Sequence, residues 1–273
     1  MRGSNAAVPL ALALGLLALA GCATVPSSRN WGQNVTVAPG WARVRRAVRS
    51  AASDPWVWGP LAGAAMLQVD NLDHRLSRWG RTHTPIFGSN SNATRWSYRL
   101  RSASVGMDIA ALLFAPSGRF GKTWLEDKAK GYLVNLFAAT TAIETNSMIS
   151  RSVHRERPNH ANDHSFPSNH TTTSAVYTRL AMLNLTQIPM NPRVRTALDA
   201  GLHGLTFATA WARIEGGWHY PSDTLFGMAL GDFCADFFTR AFMGLNDTRE
   251  VIGFSPLPGG GLLTFSMALG ARR

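Results

Sequence analysis

Three short clusters hold the residues whose types and spacing suit chemistry. They are Arg151-Ser-Val-His154-Arg155-Glu-Arg157-Pro158, Ser165-Phe-Pro167-Ser168-Asn169-His170-Thr171, and Ala212-Arg213-Ile-Glu-Gly-Gly-Trp218-His219-Tyr-Pro221-Ser-Asp223. In the second, Pro167-Ser168-Asn169-His170 stands immediately before an apolar run at 171–185. Ser and Asn are favoured at a helix N-cap. A helix start offers free N–H groups and the positive end of a dipole, which together suit a phosphate. This cluster can therefore hold an anion beside His170. The third cluster has the same layout. Pro221 suits a first helical turn, which puts His219 just before that helix and Asp223 inside its first turn. Asp223 can then accept a hydrogen bond from one His219 nitrogen and leave the other free to attack. Arg157 and Arg213 supply planar, permanently charged forks for phosphate oxygens. Phosphoryl transfer needs charge stabilisation, an in-line nucleophile and an acid for the leaving oxygen.

Together these clusters resemble the type 2 phosphatidic acid phosphatase superfamily. That family's pattern is Lys, six residues, Arg-Pro; then Pro-Ser-Gly-His; then Ser-Arg, five residues, His, three residues, Asp. Arg157-Pro158, Pro167-Ser168-Asn169-His170 and Ala212-Arg213…His219…Asp223 keep its order and spacing. The resemblance implies a metal-independent phosphatase that works through a phosphohistidine. His219 would be the nucleophile and Asp223 its orienting group. His170 would act as acid and then base. Arg157, Arg213, Ser168 and the backbone at Asn169 would hold the phosphoryl oxygens. Two positions depart from the pattern. The Lys position is Ser150, and Arg151 or Arg155 is the candidate replacement; Asn169 stands where the family has Gly. The implied substrate is a phosphate monoester or diphosphate, with lipid phosphates slightly favoured over soluble phosphomonoesters. Two alternatives remain open: a non-catalytic envelope lipoprotein that keeps the fold, and a vanadate-dependent haloperoxidase.

The elements that must position these residues are helical by length and period. Candidates are 41–51, 55–68, 70–80, 95–114, 121–149, 171–185, 193–212 and 221–243, with Pro and Gly between them. The expected fold class is all-α, a helical bundle of the acid-phosphatase type. A short C-terminal β-hairpin is expected from 251–257 and 262–269 across Gly259-Gly260-Gly261. Gly227, Gly231 and Ala235 recur at four-residue spacing and predict close helix packing. Segments 221–243 and 121–149 carry charges in mid-run, which would cost several kcal/mol in hydrocarbon.

The chain carries a net charge of +11, which draws it toward anions. It lacks both a polybasic run and a nucleic-acid-binding signature, so nucleic acid is not expected as a partner. His154, His160 and His164 crowd one loop, but no ligand set of standard spacing completes a metal site, and neither metal nor cofactor is expected. Met1 and Arg2 precede an apolar run, Ala6–Gly21, too short to span a bilayer and long enough for a signal-peptide core. The run ends in Leu19-Ala20-Gly21-Cys22, which resembles a bacterial lipobox with Cys22 as the lipidated residue. Ala23 stands where Asp would signal inner-membrane retention. The expected location is therefore the cell envelope, at the periplasmic face of the outer membrane in a Gram-negative source. The expected organisation is a signal peptide (1–21), a lipidated tether with a short basic helix (22–52), a helical phosphatase domain (53–245) and a tail (246–273).

Overall fold

The computed structural model describes residues 31–117 and 121–245, and the backbone of 251–257 and 260–266. Cys22 and the lipobox lie outside the described residues. Among the described residues eight α-helices follow in order: α1 (Trp41–Ser53), α2 (Pro55–Met66), α3 (Leu72–His83), α4 (Asn90–Phe114), α5 (Lys122–Val153), α6 (Asn169–Leu185), α7 (Pro192–Glu215) and α8 (Pro221–Phe238). The fold is all-α, as expected. A π-helical turn, Thr239–Met243, closes α8. The tail backbone pairs β1 (Val251–Leu257) antiparallel to β2 (Gly260–Ser266).

Helix starts follow the expected chemistry. Ser89 caps α4 through its side chain, Asp54 caps α2, and Pro192 and Pro221 sit in the first turns of α7 and α8. α4 begins five residues before the expected 95 because the Ser89 side chain accepts from the Asn92 N–H. α5 runs past the expected 149 and ends at Val153, where His154 takes left-handed geometry (φ 51°).

α6 is the axis of the bundle, packed against α4, α5, α7 and α8. A helix surrounded this way must bury every face, and nearly every residue from Thr171 to Leu185 is buried. Its many hydroxyls are satisfied by neighbours rather than by water. Ser174 meets Ser104 of α4 at 2.6 Å, Thr178 meets Thr206 of α7 at 2.7 Å, and Asn146 of α5 donates to Thr172 at 2.9 Å.

α6 and α8 lie side by side and run in the same direction. Their approach depends on the small face of α8. A Cβ at Gly231 would come within 2.7 Å of the Thr172 carbonyl oxygen, and one at Gly227 within 2.9 Å of the Ser168 carbonyl oxygen. Such a contact forces backbone apart, so only glycine lets the two helices meet. Both N-termini are thereby brought to one end of the bundle, where the Ser168 N–H donates to the Asp223 carbonyl oxygen at 3.1 Å.

Candidate active site

The site forms where the starts of α6 and α8 meet the end of α7. His219 is 2% exposed. Its Nδ1 donates to the Ser165 carbonyl oxygen at 2.5 Å. This assigns the proton to Nδ1 and leaves Nε2 with a free lone pair.

The expected hydrogen bond between His219 and Asp223 is absent. Nδ1 lies 3.9 Å from the carboxylate, beyond hydrogen-bonding reach. Asp223 instead accepts from the Ser165 hydroxyl at 2.6 Å, from the Tyr220 N–H at 2.8 Å and from Arg155 at 2.5 Å. Asp223 thus acts on His219 through Ser165: its carboxylate holds the hydroxyl of the residue whose carbonyl holds the imidazole. Arg155 reaches on to Asp73 at 2.7 Å and lies 4.1 Å from the centroid of the Tyr220 ring. Asp73 in turn accepts from the Ser222 N–H at 2.8 Å. Arg155 is therefore spent on the floor of the site and does not replace the motif Lys.

Above this floor the polar groups lack such partners. Arg213 is 3% exposed; one of its nitrogens donates to Ser97 of α4 at 3.2 Å, and its Nε is buried without a partner. Its guanidinium lies 5.0 Å from the Trp218 ring, and that of Arg157 lies 5.1 Å from the same ring. Arg157 also donates to Asn162 at 2.7 Å. His170 Nε2 is buried and likewise without a partner. The edge of the His170 ring meets Tyr98 of α4 at 4.6 Å. Ser168 is fully buried at the N-cap of α6, and Asn169 begins that helix. Asn169 is not among the residues with positive φ, so this turn does not need the freedom of the family's Gly.

Arg151 is not brought in. α5 continues through it, and its Nε folds back onto the Ser147 carbonyl oxygen at an exposed position. Two of the loop histidines pair with exposed acids: His154 with Asp163 and His160 with Glu156.

The electrostatics follow from these placements. Burial is the main reason His219 titrates well below its ordinary range, and Arg213 and Arg157 push it further down. His170 is lowered to about 2, by burial first and then by Arg213, Arg101 and Arg157. Burial lowers Arg213 to about 9, with Arg157 adding to the effect. Burial raises the Asp223 carboxyl, and Arg155 opposes the rise. Three guanidinium groups therefore crowd two neutral imidazoles, and the one carboxylate near them among the described residues, Asp223, is already held by Arg155, Ser165 and the Tyr220 N–H. An anion of two or more charges is the species that would relieve this crowding.

The sequence reading missed Arg101, Tyr98, Ser97, Ser165 and Asp73. Arg101 and Ser97 stand one turn apart on the face of α4 that meets Arg213 and His170. Nothing local marks them as site residues, since α4 lies far from the motifs in sequence.

Comparison with known proteins agrees with this geometry. Residues 129–247 match the PAP2 superfamily model. A crystal structure of a transmembrane PAP2-type phosphatidylglycerolphosphate phosphatase from Bacillus subtilis matches with a TM-score of 0.53 at 17% identity, covering 73% of this chain and 99% of that one. No curated protein matches in sequence. Residues 129–247, which hold all three motif clusters, thus match the PAP2 superfamily, and the fold they belong to is shared with a PAP2-type phosphatase, which supports a phosphatase.

Proposed function

We propose that this phosphatase works through a phosphohistidine on His219, and that lipid phosphates or diphosphates are slightly favoured over soluble phosphomonoesters. The observation that carries the mechanism is the 2.5 Å bond from His219 Nδ1 to the Ser165 carbonyl oxygen. It leaves the Nε2 lone pair as the nucleophile at a neutral, buried imidazole. In the first step Nε2 bonds to phosphorus and the bond to the leaving oxygen breaks. His170, protonated once a phosphate dianion offsets the arginines, gives its proton to that oxygen. In the second step His170 takes a proton from water. The water oxygen bonds to phosphorus, the P–N bond breaks, and orthophosphate leaves. Arg157 and Arg213 stabilise the charge on the non-bridging oxygens throughout. Ser168 and the amides that open α6 supply further donors.

Three observations support the lipid preference. The structural neighbour is a transmembrane enzyme acting on a lipid phosphate. Tyr98, half exposed on α4, meets His170 at the site. The sequence also carries the lipobox-like Leu19-Ala20-Gly21-Cys22, which would place a lipid anchor on Cys22. Among the described residues no helix is long and apolar enough to cross a membrane, so on this reading the anchor holds the enzyme at the envelope. Cys22→Ser, followed by membrane fractionation, tests that part: the variant should leave the membrane fraction.

The mechanism is tested by phosphate release in EDTA from an aryl phosphate and a panel of lipid phosphates, together with alkali-quenched labelling of the enzyme. Wild type should release phosphate and carry an acid-labile, base-stable label. His219→Ala should lose both, with turnover down by at least about 10³-fold. Turnover that survives this substitution would sink the proposal.

A further inference from the structure

A second group of arginines lies at the other end of α8. α1 packs along the C-terminal half of α8 and against the π-turn. Between them opens a cavity of about 700 Å³ whose lining includes Asn34, Arg43, Arg46, Arg49, Ser50 and Arg240. Arg43, Arg46 and Arg49 recur every three residues along α1, so they share one side of the helix. Arg240 enters from the π-turn opposite.

The pairing of these groups is incomplete. Arg43 donates through Nε to the Arg240 carbonyl oxygen at 3.1 Å, yet one of its terminal nitrogens is buried without a partner. Arg240 Nε is also buried without a partner. The carboxylate nearest Arg240 belongs to Asp236, 4.0 Å away, and both its oxygens already accept from Arg179. Among the described residues, Arg240 alone of these four guanidinium groups lies within 4.0 Å of a carboxylate, and that one is already committed elsewhere. Native structures seldom leave buried donors unpaired unless a ligand or water completes them. Planar forks on both walls match a tetrahedral oxyanion.

This cavity is separate from the catalytic site. Arg240 lies nineteen residues beyond Pro221 along one continuous helical path, roughly 28 Å at 1.5 Å per residue. We propose that the cavity is a second, non-catalytic site for a phosphate group. The source is either a free phosphate or the headgroup of an anionic lipid. The volume exceeds what orthophosphate needs, as a lipid headgroup with its glycerol would require. The proposal does not depend on the phosphohistidine mechanism.

The test uses the mature chain and the double variant Arg46→Gln/Arg49→Gln, whose side chains are exposed and tie no helix together. Arginine Nε–H signals are followed by NMR while inorganic phosphate is added. In parallel, the protein is sedimented with vesicles of phosphatidylcholine alone or with anionic phospholipid. Each arginine near an anionic surface is worth about fivefold in affinity, so the double variant should bind anionic vesicles about 30-fold more weakly. Its kcat/KM on a soluble aryl phosphate should stay within about twofold of wild type. Loss of vesicle binding identifies the lipid source. Loss confined to the phosphate-induced shifts of Arg43 and Arg240 identifies free phosphate. Unchanged binding in both assays would overturn the proposal.

Discussion

Arg155 and Arg157 stand two residues apart on the same loop and do opposite things. Arg155 points down and is paired to two carboxylates, Asp73 and Asp223. Arg157 points toward the histidines and meets an amide, a backbone carbonyl and the face of an indole. The same contrast divides the core. Arg179, deep in α6, is paired to Asp54 and Asp236. Arg213, equally buried on the next helix, is paired to no carboxylate, and its Nε has no partner. Burying a guanidinium is costly unless it is compensated. The compensated arginines hold helices in place. The uncompensated ones are held without a carboxylate, and the proposed mechanism turns their charge on the phosphate.

Breaking each side of this comparison should give different failures. On the proposed mechanism, Arg213→Gln removes charge that faces the transferring phosphoryl group. It should cost about 10²- to 10³-fold in kcat/KM and leave stability unchanged or raised, because an unpaired buried charge is removed. Steady-state assays and urea unfolding on the same preparation decide it. Equal losses of activity and stability would place Arg213 with the scaffold. Arg179→Met should do the reverse. It leaves Asp236, with no exposed surface, and Asp54 without their cation, and should lower unfolding stability by about 3–5 kcal/mol. Arg179 stands nine residues past His170, about 13 Å along α6, so kcat/KM per folded molecule should change less than about threefold.

How much of this was legible in the sequence follows from how each feature is encoded. Helices α6 and α7 fall within three residues of their expected limits, and α8 starts at its expected residue and reaches 243 only through the π-turn, because Ser168, Pro192 and Pro221 mark the three starts locally. His219, His170, Arg157 and Arg213 converge as the motif spacing implies. The role of Asp223 was misread because its link to His219 passes through the main-chain carbonyl of Ser165, and a carbonyl leaves no trace in residue type. Arg155 was misassigned because its partner, Asp73, lies 82 residues earlier and is brought close only by helix packing. Arg101 was invisible for the same reason.

Arg101 and Arg151 give the smallest and most discriminating test, since each could stand in for the cation that Ser150 lacks. On α4, Ser104 meets Ser174 of α6 at 2.6 Å and Tyr98 meets His170. Arg101 lies between Tyr98 and Ser104, so this register sets it at the level of His170, and it is one of the charges that hold His170 down. Removing that charge must raise the pKa of His170. A general acid with a higher pKa stays protonated to higher pH, so in Arg101→Gln the basic limb of the kcat profile should move to higher pH. KM should rise as well, because a cation near the phosphate has gone, and kcat/KM near neutrality should fall about tenfold. Arg101→Lys, which keeps the charge, should leave the limb in place. Arg151→Ala should change neither parameter by more than about twofold, because its side chain lies on its own helix at the surface. If Arg151→Ala shifted the limb and Arg101→Gln did not, the missing cation would come from α5, and the division between paired and unpaired arginines would have to be redrawn.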